Sequence, residues 1–161
     1  MNTKNSAKRL SVILNSYRKA GQDFLDAMNE VLSRIIRLII EEGHDLDLDD
    51  SECMALVRTL TGISDDIKTL RVGTPEEVAA IVRNIQDPQG PAAEMTGALK
   101  WAEDTVLDYG ADYDFDDEHC MAFVRMLRII RADIEAIAAA VDDEATETDE
   151  TEEDKPESPA L

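Results

Sequence analysis

Basic residues are scarce in this chain: 16 lysines and arginines stand against 36 aspartates and glutamates, for a formal charge of −20. A balance that acidic repels nucleic acid and anionic membranes, so a direct role on either surface is excluded unless a local basic patch carries it. Aromatic residues make up only 4%, too few for a base-stacking platform, and they leave an aliphatic core as the only option. Two cysteines and two histidines are too few for a disulfide framework or a Cys/His metal site; Cys53 and Cys120, at equivalent positions of a repeat, could form one disulfide if the repeats meet there, but read first as small buried residues. The seven glycines form no phosphate-cradling loop. No apolar run is long enough to span a bilayer, and the N-terminus lacks a signal-peptide core, so a cytoplasmic protein is expected.

What is present is a repeat. Gly43-His44-Asp45-Leu46-Asp47-Leu48-Asp49-Asp50-Ser51-Glu52-Cys53-Met54-Ala55-Leu56-Val57-Arg58-Thr59-Leu60 returns as Gly110-Ala111-Asp112-Tyr113-Asp114-Phe115-Asp116-Asp117-Glu118-His119-Cys120-Met121-Ala122-Phe123-Val124-Arg125-Met126-Leu127. Eleven of the eighteen positions are identical without a gap, and three more exchange one large apolar residue for another. This is an internal duplication.

Helical periodicity surrounds both copies. Residues 1–22 are basic (Lys4, Lys8, Arg9, Arg18, Lys19), with Leu10, Ile13, Leu14 and Tyr17 at helical spacing. They read as a helix packing onto the acidic body. In residues 23–42, Phe24, Leu25, Met28, Val31, Leu32, Ile35, Ile36, Ile39 and Ile40 make a wide apolar stripe. Gly43 is expected to end that helix in the left-handed conformation. The following loop alternates acid and apolar, which predicts an extended segment with Leu46 and Leu48 inward and the aspartates outward. A second helix, about 51–70, completes a first hairpin repeat over 23–71.

Thr74-Pro75-Glu76-Glu77 carries an N-cap, a proline at the first helical position and a capping-box glutamate. It opens a short connecting helix, and with its loop this segment covers 72–90. Residues 91–141 repeat the hairpin, with Gly110 as the second stop. Residues 142–161 are acid-rich with no large apolar residue before Leu161, and they read as a disordered tail. The expected fold is all-α: a pseudo-two-fold four-helix bundle from two duplicated hairpins, with an N-terminal helix, a connecting helix and an acidic tail.

The acidic loops do not satisfy a calcium-loop rule. An EF-hand needs Gly at its sixth position and a bidentate Glu at its twelfth. Counted from Asp45 these are Asp50 and Leu56; counted from Asp112 they are Asp117 and Phe123. Glu41, Glu42, Glu103 and Asp104 are the nearest candidates for a Mg²⁺-dependent all-α nucleotide hydrolase, but no matched carboxylate set recurs. Cys53 and Cys120 have no base arranged to activate them, since His119, which precedes Cys120, points about 100° away on a helix, and Arg58 and Arg125 read as salt-bridge partners. The sequence calls for no catalytic residue, metal or cofactor.

The surplus of acid is the functional clue. A charge magnitude of about 2–8 suffices to keep a small domain soluble. The expectation is a non-enzymatic inhibitor or decoy, like DNA mimics and nuclease-immunity proteins, that occupies the basic nucleic-acid-binding surface of a partner. That partner would be a nucleic-acid-acting or defence-related enzyme. The outward acids Asp45, Asp47, Asp49, Asp112, Asp114 and Asp116 would carry the contact. On an extended strand they fall about 6.6 Å apart, a spacing of the same order as phosphates. The alternative is a structural, assembly or chaperone-like component of a larger complex. The composition leaves self-association open.

Overall fold

The computed structural model describes residues 3–113 and 115–154, with side chains from residue 8 to 140 apart from Asp114. Six helices run in order: α1 (Thr3–Lys19), α2 (Gln22–Glu42), α3 (Asp50–Val72), α4 (Pro75–Gln86), α5 (Ala92–Tyr109) and α6 (Asp117–Asp154). Two 3-10 turns, Gly43–Leu46 and Gly110–Tyr113, join α2 to α3 and α5 to α6. There is no strand among the described residues, so the chain is an all-α helical bundle. None of its described helices is long and apolar enough to cross a membrane.

Helix starts follow the capping chemistry written in the sequence. Asp49 accepts from the Glu52 N–H at 2.8 Å while the Glu52 carboxylate accepts from the Asp49 N–H at 3.0 Å. Thr74 and Glu77 make the same reciprocal pair at the start of α4. Each pair satisfies two N–H groups that would otherwise lack a partner.

The core is aliphatic. From α2 it takes Leu25, Met28, Val31, Leu32, Ile35, Leu38 and Ile39. The expected stripe is too wide at its edges: Ile40 is 67% exposed and Phe24 40% exposed, because no neighbouring helix reaches that far round. On α5, Leu107 likewise faces solvent at 51%. Helix α6 is the central element and packs on α5, α1, α4 and α2, with Leu127, Ile130 and Ile137 fully enclosed. This helix extends to Asp154, past residue 141 where the apolar pattern stops; the five glutamates of residues 142–154 are good helix formers. The tail reading for 142–161 otherwise falls outside the described residues, since 155–161 and the side chains from Val141 onward are not among them.

Helix α1 belongs to the body. Ile13 and Tyr17 are buried, and the Tyr17 hydroxyl donates to Asp133 Oδ2 at 2.7 Å. Arg71 Nε donates to the Ala20 carbonyl at 2.9 Å, fixing the chain between α1 and α2. Burial holds the Asp133 carboxyl above its ordinary value, and the Tyr17 hydrogen bond opposes that shift without cancelling it. The folded state therefore keeps a proton that the unfolded chain has already released. Stability should fall as pH rises from the ordinary aspartate value of 3.8 through the raised folded value. In Asp133→Asn this part of the slope is expected to vanish, because an amide oxygen still accepts from Tyr17; urea midpoints across that range check it.

The stop after α2 differs from the expected one. Gly43 is right-handed, at φ −56° and ψ −38°, and begins the 3-10 turn instead of ending the helix. The left-handed residue is Asp47, at φ 63°. Its N–H donates to the Gly43 and His44 carbonyls, and the Leu48 N–H donates to the Gly43 carbonyl at 3.0 Å. Those bonds are a Schellman turn with aspartate at the left-handed position. The loop is consequently a turn and not an extended segment, although Leu46 and Leu48 are still half-buried. Replacing Asp47 by Gly should stabilise the protein by about 0.5–1 kcal/mol, because glycine lacks the Cβ penalty there. Thermal unfolding of Asp47→Gly would show it as a raised midpoint.

Candidate functional site: the acidic end of the bundle

Both corners are built alike. The Phe115 N–H donates to the Gly110 carbonyl at 3.0 Å, matching Leu48 and Gly43. The Cys53 thiol lies 4.0 Å from the Ile39 carbonyl, and the Cys120 thiol 3.8 Å from the Val106 carbonyl. A Cβ on Gly43 would collide with Cys53 Sγ, and one on Gly110 would come within 2.5 Å of Cys120 Sγ. Glycine is required here by close packing, not by backbone angle. Both cysteines are free and half-buried. Burial, with Asp117 and Asp116 adding to it, pushes the Cys120 thiol further from its reactive thiolate form.

The corners come together at one end. The C-terminal turns of α2 and the second 3-10 turn enclose a cleft of about 570 Å³ lined by Arg34, Arg37, Leu38, Glu41, Glu42, Asp112, Tyr113 and Phe115. The Tyr113 phenol is held above its ordinary range by burial first, then by the charges of Asp45, Glu42 and Asp112. Carboxylates of both loops thus act on one hydroxyl. The Glu42 carboxyl is raised by a hydrogen bond with Asp45 first, then by burial and by the charges of Asp45 and Glu41. Arg34 lies over the Phe115 ring at 4.5 Å and the Phe123 ring at 5.5 Å, tying α2 to the second corner.

The six aspartates singled out by the sequence divide by duty. Asp45 and Asp112 are exposed, and the charge of each raises the Tyr113 phenol. Asp47 is exposed and left-handed. Asp49 and Asp116 are exposed but cap α3 and α6; Asp116 accepts from the His119 N–H at 2.8 Å, and that bond lowers its pKa. Asp114 lies outside the described residues. Because the first loop turns instead of extending, the regular carboxylate repeat expected along it does not exist. Tyr113, Arg34 and Arg37 are the parts of this end that sequence reasoning missed, and Glu42 was singled out only as a candidate for a Mg²⁺ site. Arg34 stands where the second repeat has Trp101, which is half-buried against the core; no spacing along the chain marks Arg37.

Other candidates resolve into structural roles. Glu103 is 1% exposed, and Arg131 and Arg128 both donate to it. Asp104 pairs with Lys100 at 3.1 Å. Among the described residues no three His, Cys, Asp or Glu side chains converge as a metal site. Arg58 and Arg125 make no ion pair among the described residues, contrary to the expected salt bridges.

Fold and composition together define an acidic, all-α helical bundle. Comparison with protein-family models, curated proteins and solved structures found no match to the chain.

Proposed function

We propose that this is a non-enzymatic interaction protein, a decoy or inhibitor whose acidic end occupies the basic nucleic-acid-binding surface of a cytoplasmic partner such as a nucleic-acid-acting or defence-related enzyme. In this reading the bundle is a pseudo-two-fold pair of duplicated hairpins, and the duplication serves to place two acidic corners side by side. The observation that supports it is the cleft in which Glu41 and Glu42 of α2 face Asp112 and Tyr113 of the second corner, with the charges of Asp45, Glu42 and Asp112 raising the Tyr113 phenol. Carboxylates on rigid helix corners stand in for phosphates without ordering a flexible chain, and they steer association over a distance set by salt.

The test is a variant in which Asp45, Asp47, Asp49, Asp112, Asp114 and Asp116 become Asn or Ser. Asn and Ser are themselves good N-caps, so the capping at positions 49 and 116 survives. Circular dichroism is expected to be unchanged, while binding to the native partner, measured after capture from the host, is lost. Binding that persists in the substituted chain contradicts the decoy reading.

A further inference from the structure

One groove runs against the charge of the molecule. It lies between α1, the end of α3 and α4, and encloses about 470 Å³, within the range of about 300–1,000 Å³ usual for small-molecule sites. Leu14 of α1, Leu70 of α3, and Val78 and Val82 of α4 make an aliphatic floor. Its polar groups are Asn15 and Arg18 from α1 and Arg83 from α4, and no carboxylate is among the lining residues. Both arginines are exposed, and among the described residues neither side chain forms an ion pair. In a chain with 36 acids that is unusual.

The acids of the surrounding elements are engaged elsewhere or stand outside the lining. Residues 1–22 hold none. On α3, Asp66 lines a separate cleft with Arg58. On α4, the Glu77 carboxylate accepts from the Thr74 N–H, and Glu76 is not in the groove. On α6, Asp133 accepts from the Tyr17 hydroxyl. Lys19, Lys68 and Arg71 add positive charge at this end of the bundle.

We propose that this groove binds a small aliphatic carboxylate of the medium-chain fatty-acid type. Its alkyl chain lies on the Leu14, Leu70, Val78 and Val82 floor, and the guanidinium groups of Arg18 and Arg83 receive its carboxylate. A guanidinium presents a planar fork of donors that matches a carboxylate's two oxygens. The aliphatic lining offers no ring for an aromatic ligand to stack on, so an alkyl body suits it better. The site is separate from the acidic corners: Leu70 lies twenty residues along α3 from Asp50, about 30 Å at 1.5 Å per residue. It stands or falls independently of the decoy reading.

Isothermal titration of the full-length protein uses three probes with the same alkyl chain: octanoate, octan-1-ol and octyltrimethylammonium. A surface carrying −20 favours the cation, so a preference for the anion can come only from local arginines. Octanoate is expected to bind about tenfold more tightly than either competitor. Arg18→Gln/Arg83→Gln should keep its helicity, since both sites are exposed and Gln is a good helix former, and should lose that preference. The six-aspartate variant should bind octanoate at least as tightly as the unaltered protein. Octanoate bound no better than the alcohol or the cation, or a preference that survives in Arg18→Gln/Arg83→Gln, overturns the inference. Loss of octanoate binding in the six-aspartate variant overturns it as well, by placing the site at the corners. Phosphatidylglycerol vesicles separate a free carboxylate from a lipid headgroup: the protein is expected to remain in the supernatant, and sedimentation with vesicles without any response to octanoate overturns the inference in favour of a membrane surface.

Discussion

Arg131→Met is expected to destabilise the protein by about 3–5 kcal/mol, the cost of leaving a buried carboxylate without its partner. Glu103 is enclosed, whereas Arg131 is 25% and Arg128 59% exposed. Arg131 supplies two donors, Nε and Nη2, to the two carboxylate oxygens, while Arg128 supplies one at 3.3 Å. Losing Arg131 therefore removes the fork and leaves a longer, more solvated contact. Removing the carboxylate should do far less harm, because both arginines can turn toward water. The repeat even supplies the replacement, since Ile36 stands where Glu103 does in the other copy. Glu103→Ile is expected to be near neutral or stabilising, and Arg131→Met/Glu103→Ile should recover most of the loss. Urea unfolding of the three variants measures this; a cost under about 1 kcal/mol for Arg131→Met would show that the pair contributes no more than a surface bridge.

The second large effect concerns the corners. Gly43→Ala should cost about 1–3 kcal/mol through overpacking against Cys53. Alanine at an uncrowded right-handed position would instead gain up to about 1 kcal/mol over glycine. The rescue identifies the cause: Gly43→Ala/Cys53→Ala should regain most of the loss, because the collision is with a thiol and the backbone angle already suits alanine. Gly110→Ala and Cys120→Ala should behave as the same pair. Gly43→Ala destabilised equally with or without Cys53 would point back to a backbone requirement.

That pair of glycines marks the boundary of what the residues reveal. Helix positions were legible because each is written in local chemistry: Thr74-Pro75-Glu76-Glu77 starts a helix by filling its own free N–H groups, and the Leu32–Ile39 stripe can be buried only on a helix. The existence of a corner at Gly43 was legible too. Its reason was not, because it depends on Cys53, ten residues away on the next helix. Asp47 as the left-handed residue was hidden among several aspartates, any of which tolerates that conformation. The acidic loops could be read residue by residue, yet the cleft that sets Asp112 and Tyr113 against Glu41 and Glu42 is tertiary. So is the presence of Arg34 and Arg37 in the same cleft, which no spacing rule along the chain predicts. Exposure at Ile40 and Leu107 escaped for a related reason: periodicity defines the direction of a stripe, and the neighbouring helices decide how much of its width they cover.

The acids at this end now carry two kinds of duty. Asp49 and Asp116 are accounted for by capping, and Asp47 by its turn. Asp45 and Asp112, with Glu42, have no comparable structural task beyond their own loops, and their charges all bear on Tyr113. The functional claim rests on that subset.

Competition tests it most directly. The chain is immobilised, its partner captured from host extract and identified, and duplex DNA or RNA is then added in increasing amounts. The account predicts a nucleic-acid-acting protein that is displaced by the nucleic acid and by rising salt, and that is not captured by the six-aspartate variant. A partner that stays bound in saturating nucleic acid, and is captured equally well by the variant, would contradict it.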